Sequence, residues 1–193
     1  GYSVFAESSA GRTTSTGWEF YLPRFPETLV WSDVGSPSIQ GAHSHDDTSY
    51  RIAAGGAHMW GASDQFRFGH EALEGDARIV GRLDHLSGGH PWARCGSTFR
   101  GSDAPDAAHV SVFLSQSNGI DLQTRRVDGG PTERVAGANA GAGPGVFVEL
   151  VRTGDRFHAA YGTDGTTWTS LGAISLSLPE ETRGGLFACA VSD

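Results

Sequence analysis

Chemistry could come first from the arginine- and glutamine-bearing runs "ARCGSTFR" and "GIDLQTRR". In an extended strand, alternate residues share a face. Arg94, Gly96, Thr98 and Arg100 therefore fall on one side, and Cys95, Ser97 and Phe99 on the other. In the second run Asp121, Gln123 and Arg125 share a side. If those polar sides belong to one sheet surface, they form a row of planar donors. Such donors suit carboxylates and hydroxyl-rich ligands, with an aromatic ring covering an apolar ligand face. Trp92, in the loop "HPWAR" just before the first run, is the preferred ring. The expected ligand set is Trp92, Arg94, Arg100, Gln123 and Arg125. An ordinary solvated sheet face is the competing reading, of about equal weight.

"GAHSHDD" offers another constellation, with His43, His45, Asp46 and Asp47 close together. On a strand, His43 and His45 would point to the same side, a start on a transition-metal site. The segment falls between "SPSIQG" and the run "SYRI", where a hairpin loop is expected. A solvated polar loop is the favoured reading.

Catalytic sets are harder to find. Glycoside hydrolysis needs paired carboxylates, and period two would place them on one strand as E-x-D-x-E. No such run occurs; Glu149 stands alone, and Glu180 and Glu181 follow Pro179 in a loop. All 14 basic residues are arginine, so no lysine base or Schiff-base lysine exists. No nucleophile elbow is visible. An enzyme is not expected.

Cys95 and Cys189 are the only cysteines and form no CxxC pair, which argues against a thiolate zinc site. They allow one disulfide if the fold brings their Cα atoms within reach. The net charge of −8 and the lack of any basic run argue against a nucleic-acid partner. No apolar stretch is long enough to predict membrane insertion.

The elements that must carry these residues read as strands. "DARIVGRLDHL", "GIDLQTRRV" and "RFHAAYG" alternate with period two, while "VFVELV" and "GGLFACAV" are continuously apolar and read as central strands. "SNG" at 117–119, "DGG" at 128–130, "RTGDR" at 152–156 and "TDG" at 163–165 are turn signals. "AGANAGAGPG" at 136–145 reads as a loop. The pattern predicts roughly ten to twelve strands in two packed antiparallel sheets, an all-β sandwich. Residues 1–28 read as an N-terminal extension, with "GWEFYLP" as an extra or donated strand, and 29–193 as the sandwich.

Taken in order, "SDVG", "SYRIAAGGAHMWGASDQFRF", "GDARIVGRLDHL", "PWARCGSTFRGS", "GIDLQTRR" and "VFVELVRTGDRFHAAYGTDGTTWTSLG" carry a resemblance. The chain resembles the concanavalin A-like lectin/glucanase sandwich modules of bacterial secreted proteins, in the DUF1349 or regulation-of-enolase-like group. The resemblance covers roughly residues 29–193. It implies a jelly roll, export to the cell surface or medium, and a module appended to a longer multidomain chain. A structural calcium is the ion such a sandwich would hold, with Asp33 and Asp47 as contributors; no other cofactor is expected. The pattern also places Trp60 as a plug closing the core, and Asp164, Gly165 and Trp168 in an Asp-box turn.

The chain departs from the pattern at Arg94 and Cys95, where the group usually has Lys and Ala, and by lacking a strand after "GLFACAVSD". An unfilled edge would invite self-association, which "GWEFYLP" could prevent or mediate. The leading expectation is a non-catalytic module binding carbohydrate. A structural or assembly protein of the cell surface using edge-strand exchange is second, and a glycan-active enzyme third.

Overall fold

A computed structural model describes residues 29–45, 49–84, 86, 90–139 and 145–191. The proposed extra strand within 1–28, and Asp46 and Asp47, lie outside the described residues. Thirteen strands run through the described part: β1 (Val30–Val34), β2 (Ala42–His45), β3 (Tyr50–Ala53), β4 (Phe66–Glu74), β5 (Ala77–Leu83), β6 (Arg94–Arg100), β7 (His109–Ser115), β8 (Gly119–Arg125), β9 (Thr132–Ala138), β10 (Val146–Thr153), β11 (Arg156–Gly162), β12 (Thr169–Ser175) and β13 (Glu181–Cys189). The protein is an all-β sandwich. A seven-stranded sheet in the order β1-β4-β13-β6-β7-β8-β9 packs against a four-stranded sheet, β12-β11-β10-β5. The hairpin β2-β3 forms a small third sheet. Neighbouring strands run antiparallel throughout.

The alternation in the sequence sets which side chains meet between the sheets. Cys95, Phe99, Val112, Leu114, Ile120 and Leu122 of the large sheet meet Ile79, Leu83, Val148, Leu150, Phe157 and Ala159 of the small one. The expected turns between β7 and β8, β8 and β9, β10 and β11, and β11 and β12 all form. In the last of these the Asp164 carboxylate accepts from the N–H groups of Thr167 and Thr166, at 2.7 and 2.8 Å. Those bonds hold its pKa down at about 2. Trp168 sits half-buried beside that turn, with the Arg78 guanidinium 5.7 Å from its ring.

Several expectations change. Residues 136–138 belong to β9 rather than to a loop. His43 and His45 lie on strand β2 rather than in a loop, both exposed, with His43 stacked on Trp31 at 4.3 Å. Trp60 does not plug the core: it is 48% exposed, and Met59 beside it is the fully buried residue.

The main surprise is that β6, β7 and β8 are buried along their whole length. Their inner face meets the small sheet. On the outer side of the sheet, Phe113 of β7 joins Val34, Phe66, Phe68, Phe187 and Cys189 of β1, β4 and β13, with Met59, in a second apolar cluster. The segment 54–65, between β3 and β4, supplies Met59 to this cluster and roofs it. It is closed on itself by Gln65 N donating to His58 O and tied at its C-terminal end by Asp64 N donating to Pro105 O, both at 2.8 Å. A strand covered on both faces shows no exposed row, so the anticipated open row of donors does not exist.

The cysteines are separated by the same geometry. Cys95 pairs in register with Ala188, and Cys189 pairs with Arg94. Adjacent register positions point to opposite faces. Cys95 accordingly lies between the sheets and Cys189 in the outer cluster. In place of the anticipated disulfide stand two buried thiols on opposite faces of the sheet, with Cys189 Sγ donating to Gln65 O at 3.3 Å.

Candidate functional site

Two constellations occupy the outer side of the large sheet. The first is a buried charge centre. Asp64, at the end of the roofing segment, meets Arg100 on β6 and Arg125 on β8, and all three side chains are 0% exposed. Arg100 Nη1 and Arg125 Nη1 donate to Asp64 Oδ2 at 2.6 and 2.8 Å, and Arg125 Nη2 donates to Oδ1 at 2.6 Å. Most of the arginines' other N–H groups go to loop carbonyls, while the buried Arg100 Nε has no hydrogen-bond partner among the described residues. Arg100 Nη2 donates to Ala104 O at 2.8 Å, Arg125 Nε to Gly130 O at 3.1 Å, and Arg125 Nη2 to Gly61 O at 3.0 Å.

Burial by itself would raise the Asp64 pKa. The Arg125 hydrogen bond, with the charges of Arg100 and Arg125, outweighs it and keeps the carboxyl below its ordinary value. His109 lies beside the centre on β7. Burial, reinforced by the Arg100 and Arg125 charges, pushes its pKa down to about 3. It is neutral, with Nδ1 hydrogen-bonded to Ser111 Oγ at 2.9 Å. None of this reaches solvent. The centre fastens the roofing segment and loops 101–108 and 126–131 to the sheet, and does no chemistry on a ligand.

The second constellation is open. A groove of about 730 Å³ at one end of the same sheet is lined by Trp92, Ser117, Asn118, Gly119, Arg134 and Asn139. Trp92 stands in the turn before β6 and is 37% exposed. Its turn is braced. Ala93 N donates to His90 O at 2.9 Å and Ser117 N to Pro91 O at 3.0 Å. Trp92 N donates to His90 Nδ1 at 3.1 Å, and Asn118 Nδ2 to Pro91 O at 3.0 Å. From behind, Arg94 Nε donates to Trp92 O at 3.0 Å, and its guanidinium lies 5.9 Å from the Trp92 ring and 4.8 Å from that of Phe113.

Arg134, on β9, donates through Nε and Nη2 to Asp121 Oδ1 at 2.9 and 2.7 Å. The Asp121 hydrogen bond, then its charge, raises the Arg134 pKa above its ordinary value, so the guanidinium stays charged. The Arg134 side chain is 53% exposed while Asp121 is 5% exposed, which leaves donor edge facing the groove. Gly137 permits this contact, since a Cβ there would collide with the Arg134 guanidinium. Gly119, at φ +79°, closes the β7–β8 turn against Ala138 O, where a Cβ would also collide.

Of the expected ligand residues, only Trp92 lines the groove. Arg94 is 5% exposed and supports Trp92 from beneath. Gln123 is 1% exposed and accepts from Arg94 Nη1 at 3.4 Å. Arg100 and Arg125 belong to the buried centre. Asp33 is occupied by Gly41 N–H, at 3.1 and 3.2 Å from its two oxygens, and by Arg67 Nη1 at 3.4 Å. Among the described residues no cluster of three or more His, Cys, Asp or Glu side chains could hold a metal ion. Arg134, Asn118 and Asn139 were not singled out in the sequence. The signal for Asn118 was the Asn-Gly turn itself; Arg134 becomes visible only through its register with β8.

No family model matches the chain, and no curated protein matches it. Solved structures do. A functionally unknown protein from Saccharomyces cerevisiae superposes with a TM-score of 0.59 at 11% identity, covering 85% of this chain and 88% of that one. A mutant of the GH43 protein BlXynB from Bacillus licheniformis superposes with a TM-score of 0.54 at 15% identity. That match covers 89% of this chain but 38% of the other. At such identities the likeness is one of fold.

Proposed function

We propose that this chain is a non-catalytic module that binds carbohydrate in the groove beside Trp92. The carrying observation is a braced, partly exposed indole next to a guanidinium and two carboxamides. An aromatic ring takes the C–H face of a sugar, and planar donors take its hydroxyls. The lining residues include no carboxylate, thiol or imidazole that could act on a bound ligand. The fold likeness to part of a GH43 protein, and the resemblance to the DUF1349-like modules, support a place in an exported, carbohydrate-directed protein. A glycan array followed by affinity electrophoresis tests the reading. Binding should weaken about tenfold or more in Trp92→Ala; no binding of wild type to any glycan would overturn it.

A second reading, assembly through an open sheet edge, draws on β1. Among the described residues β1 pairs on one side only, and Val30 is 60% exposed. Concentration-dependent growth in light scattering would favour that reading.

A further inference from the structure

A second exposed indole, Trp60, lies on a segment tied to β8 and β9, the strands that supply Gly119 and Arg134 to the groove. Gln123 and Arg134 are register partners across these strands. Gln123 Nε2 donates to Met59 O at 3.0 Å. Thr132, two positions before Arg134, donates to Gly61 O from N at 2.9 Å and from Oγ1 at 3.0 Å. The residues on both sides of Trp60 are thus tied to the strand pair that carries Arg134. Met59 turns into the outer cluster while Trp60 remains 48% exposed. The Gly61 carbonyl, which also accepts from buried Arg125, holds this turn in place. Trp60 thus presents its indole to solvent from a segment fixed on both sides to β8 and β9.

We infer that Trp60 is a second stacking platform, and that the site takes an extended, neutral glycan chain running from Trp92 past Arg134 to Trp60. This rests on the carbohydrate reading of the groove. Length follows from the strand. Gly119, at the Trp92 end, and Gln123, bound to Met59, are four residues apart, about 13 Å along β8. That exceeds a single pyranose ring. Neutrality follows from charge. The Arg134 guanidinium is already compensated by Asp121 at 2.7 Å, so an acidic sugar gains little there. The chain's net charge of −8 works against polyanions as well.

The test is calorimetric titration with cello-, xylo- and manno-oligosaccharides from disaccharide to hexasaccharide, with oligogalacturonate as the acidic comparison. Affinity should rise with length in at least one neutral series. Trp60→Ala should flatten that rise, weakening the hexasaccharide about tenfold and leaving the disaccharide as in wild type. Its melting temperature is measured alongside, to show that the roof remains in place. The inference is overturned if the hexasaccharide binds Trp60→Ala as tightly as wild type, if length has no effect in wild type, or if the acidic chain binds best. If no series binds wild type, the carbohydrate reading falls with it. Trp92-dependent binding that ignores Trp60 would sink only the second platform.

Discussion

The outer side of the large sheet holds two arginine–aspartate pairs with opposite fates. Arg125 and Asp64 are both fully buried, and every contact they make points inward. Arg134 and Asp121, one strand over, keep a guanidinium half in water. Both pairs join a β-strand arginine to a single carboxylate at short range. The difference is the roof. Segment 54–65 covers the β6–β8 surface near Arg125 and stops short of the β7–β8 turn. A buried guanidinium must have its donors satisfied from within, so it becomes a fastening. One at the rim can trade water for a ligand.

Removing each carboxylate is the most direct way to break this comparison. Asp64→Ala strands two buried guanidinium groups and should cost about 3–5 kcal/mol of unfolding free energy, read from urea denaturation. Asp121→Ala should cost about 1 kcal/mol or less, because Arg134 can turn to water. Equal losses at the two positions would erase the distinction.

Acid should act on the buried centre and spare the groove. Folding lowers the His109 pKa from 6.5 to about 3. Between those values the unfolded chain binds a proton that the folded chain does not, so stability falls as pH drops through that window. The slope contributed is at most about 1.4 kcal/mol per pH unit. The lowered Asp64 pKa adds a loss only at the acid end, as pH falls below its ordinary 3.8. His109→Gln should remove the upper part of the slope; an unchanged pH profile of unfolding would show that His109 is not held neutral.

Trp92→Ala should weaken glycan binding about tenfold or more with little change in melting temperature. A large stability loss would instead make Trp92 a packing residue and move the groove into the structural class. The smallest effect concerns the thiols. Burial raises the Cys95 pKa to about 12, so the folded protein should resist iodoacetamide. Cys95 and Cys189 should both react in denaturant without reductant. A requirement for reductant would show that they are bonded.

Much of the sandwich was legible because period two survives in single strands. The runs at 77–83, 119–125 and 156–162 declared their core faces, and the turn signals beside β8 and β11 marked where those strands end. Even the sharing of a face by Arg94, Thr98 and Arg100 was correctly legible. What parity could not reveal was what lay over that face. The same alternation fits a strand with solvent outside and one covered by a distant segment. Met59 and Asp64 sit in "AHMWGASDQFRF", between β3 and β4, and nothing local shows that they reach β8. The family pattern sets the Trp-Gly pair at a turn with Trp60 closing the core, but the neighbouring Met59 fills that place and Trp60 stays exposed. The groove position of Trp92 is legible because it lies in a loop next to an arginine strand. Arg134 was missed because its role depends on pairing across two strands.

Strand β13 has a consequence for how the molecule comes together. It is the last strand of its sheet in sequence, yet it lies between β4 and β6. Until it docks, the sheet exists as two pieces, β1-β4 and β6-β7-β8-β9, each with a bare hydrogen-bonding edge. Closure by so distant a segment makes for slow folding. A nascent or truncated chain that stops before Glu181 would present both edges, together with the uncovered aromatic surface of Phe66, Phe68 and Phe113, to whatever is nearby. Such an intermediate is prone to aggregate. Efficient production of this protein should therefore depend on how quickly β13 is delivered.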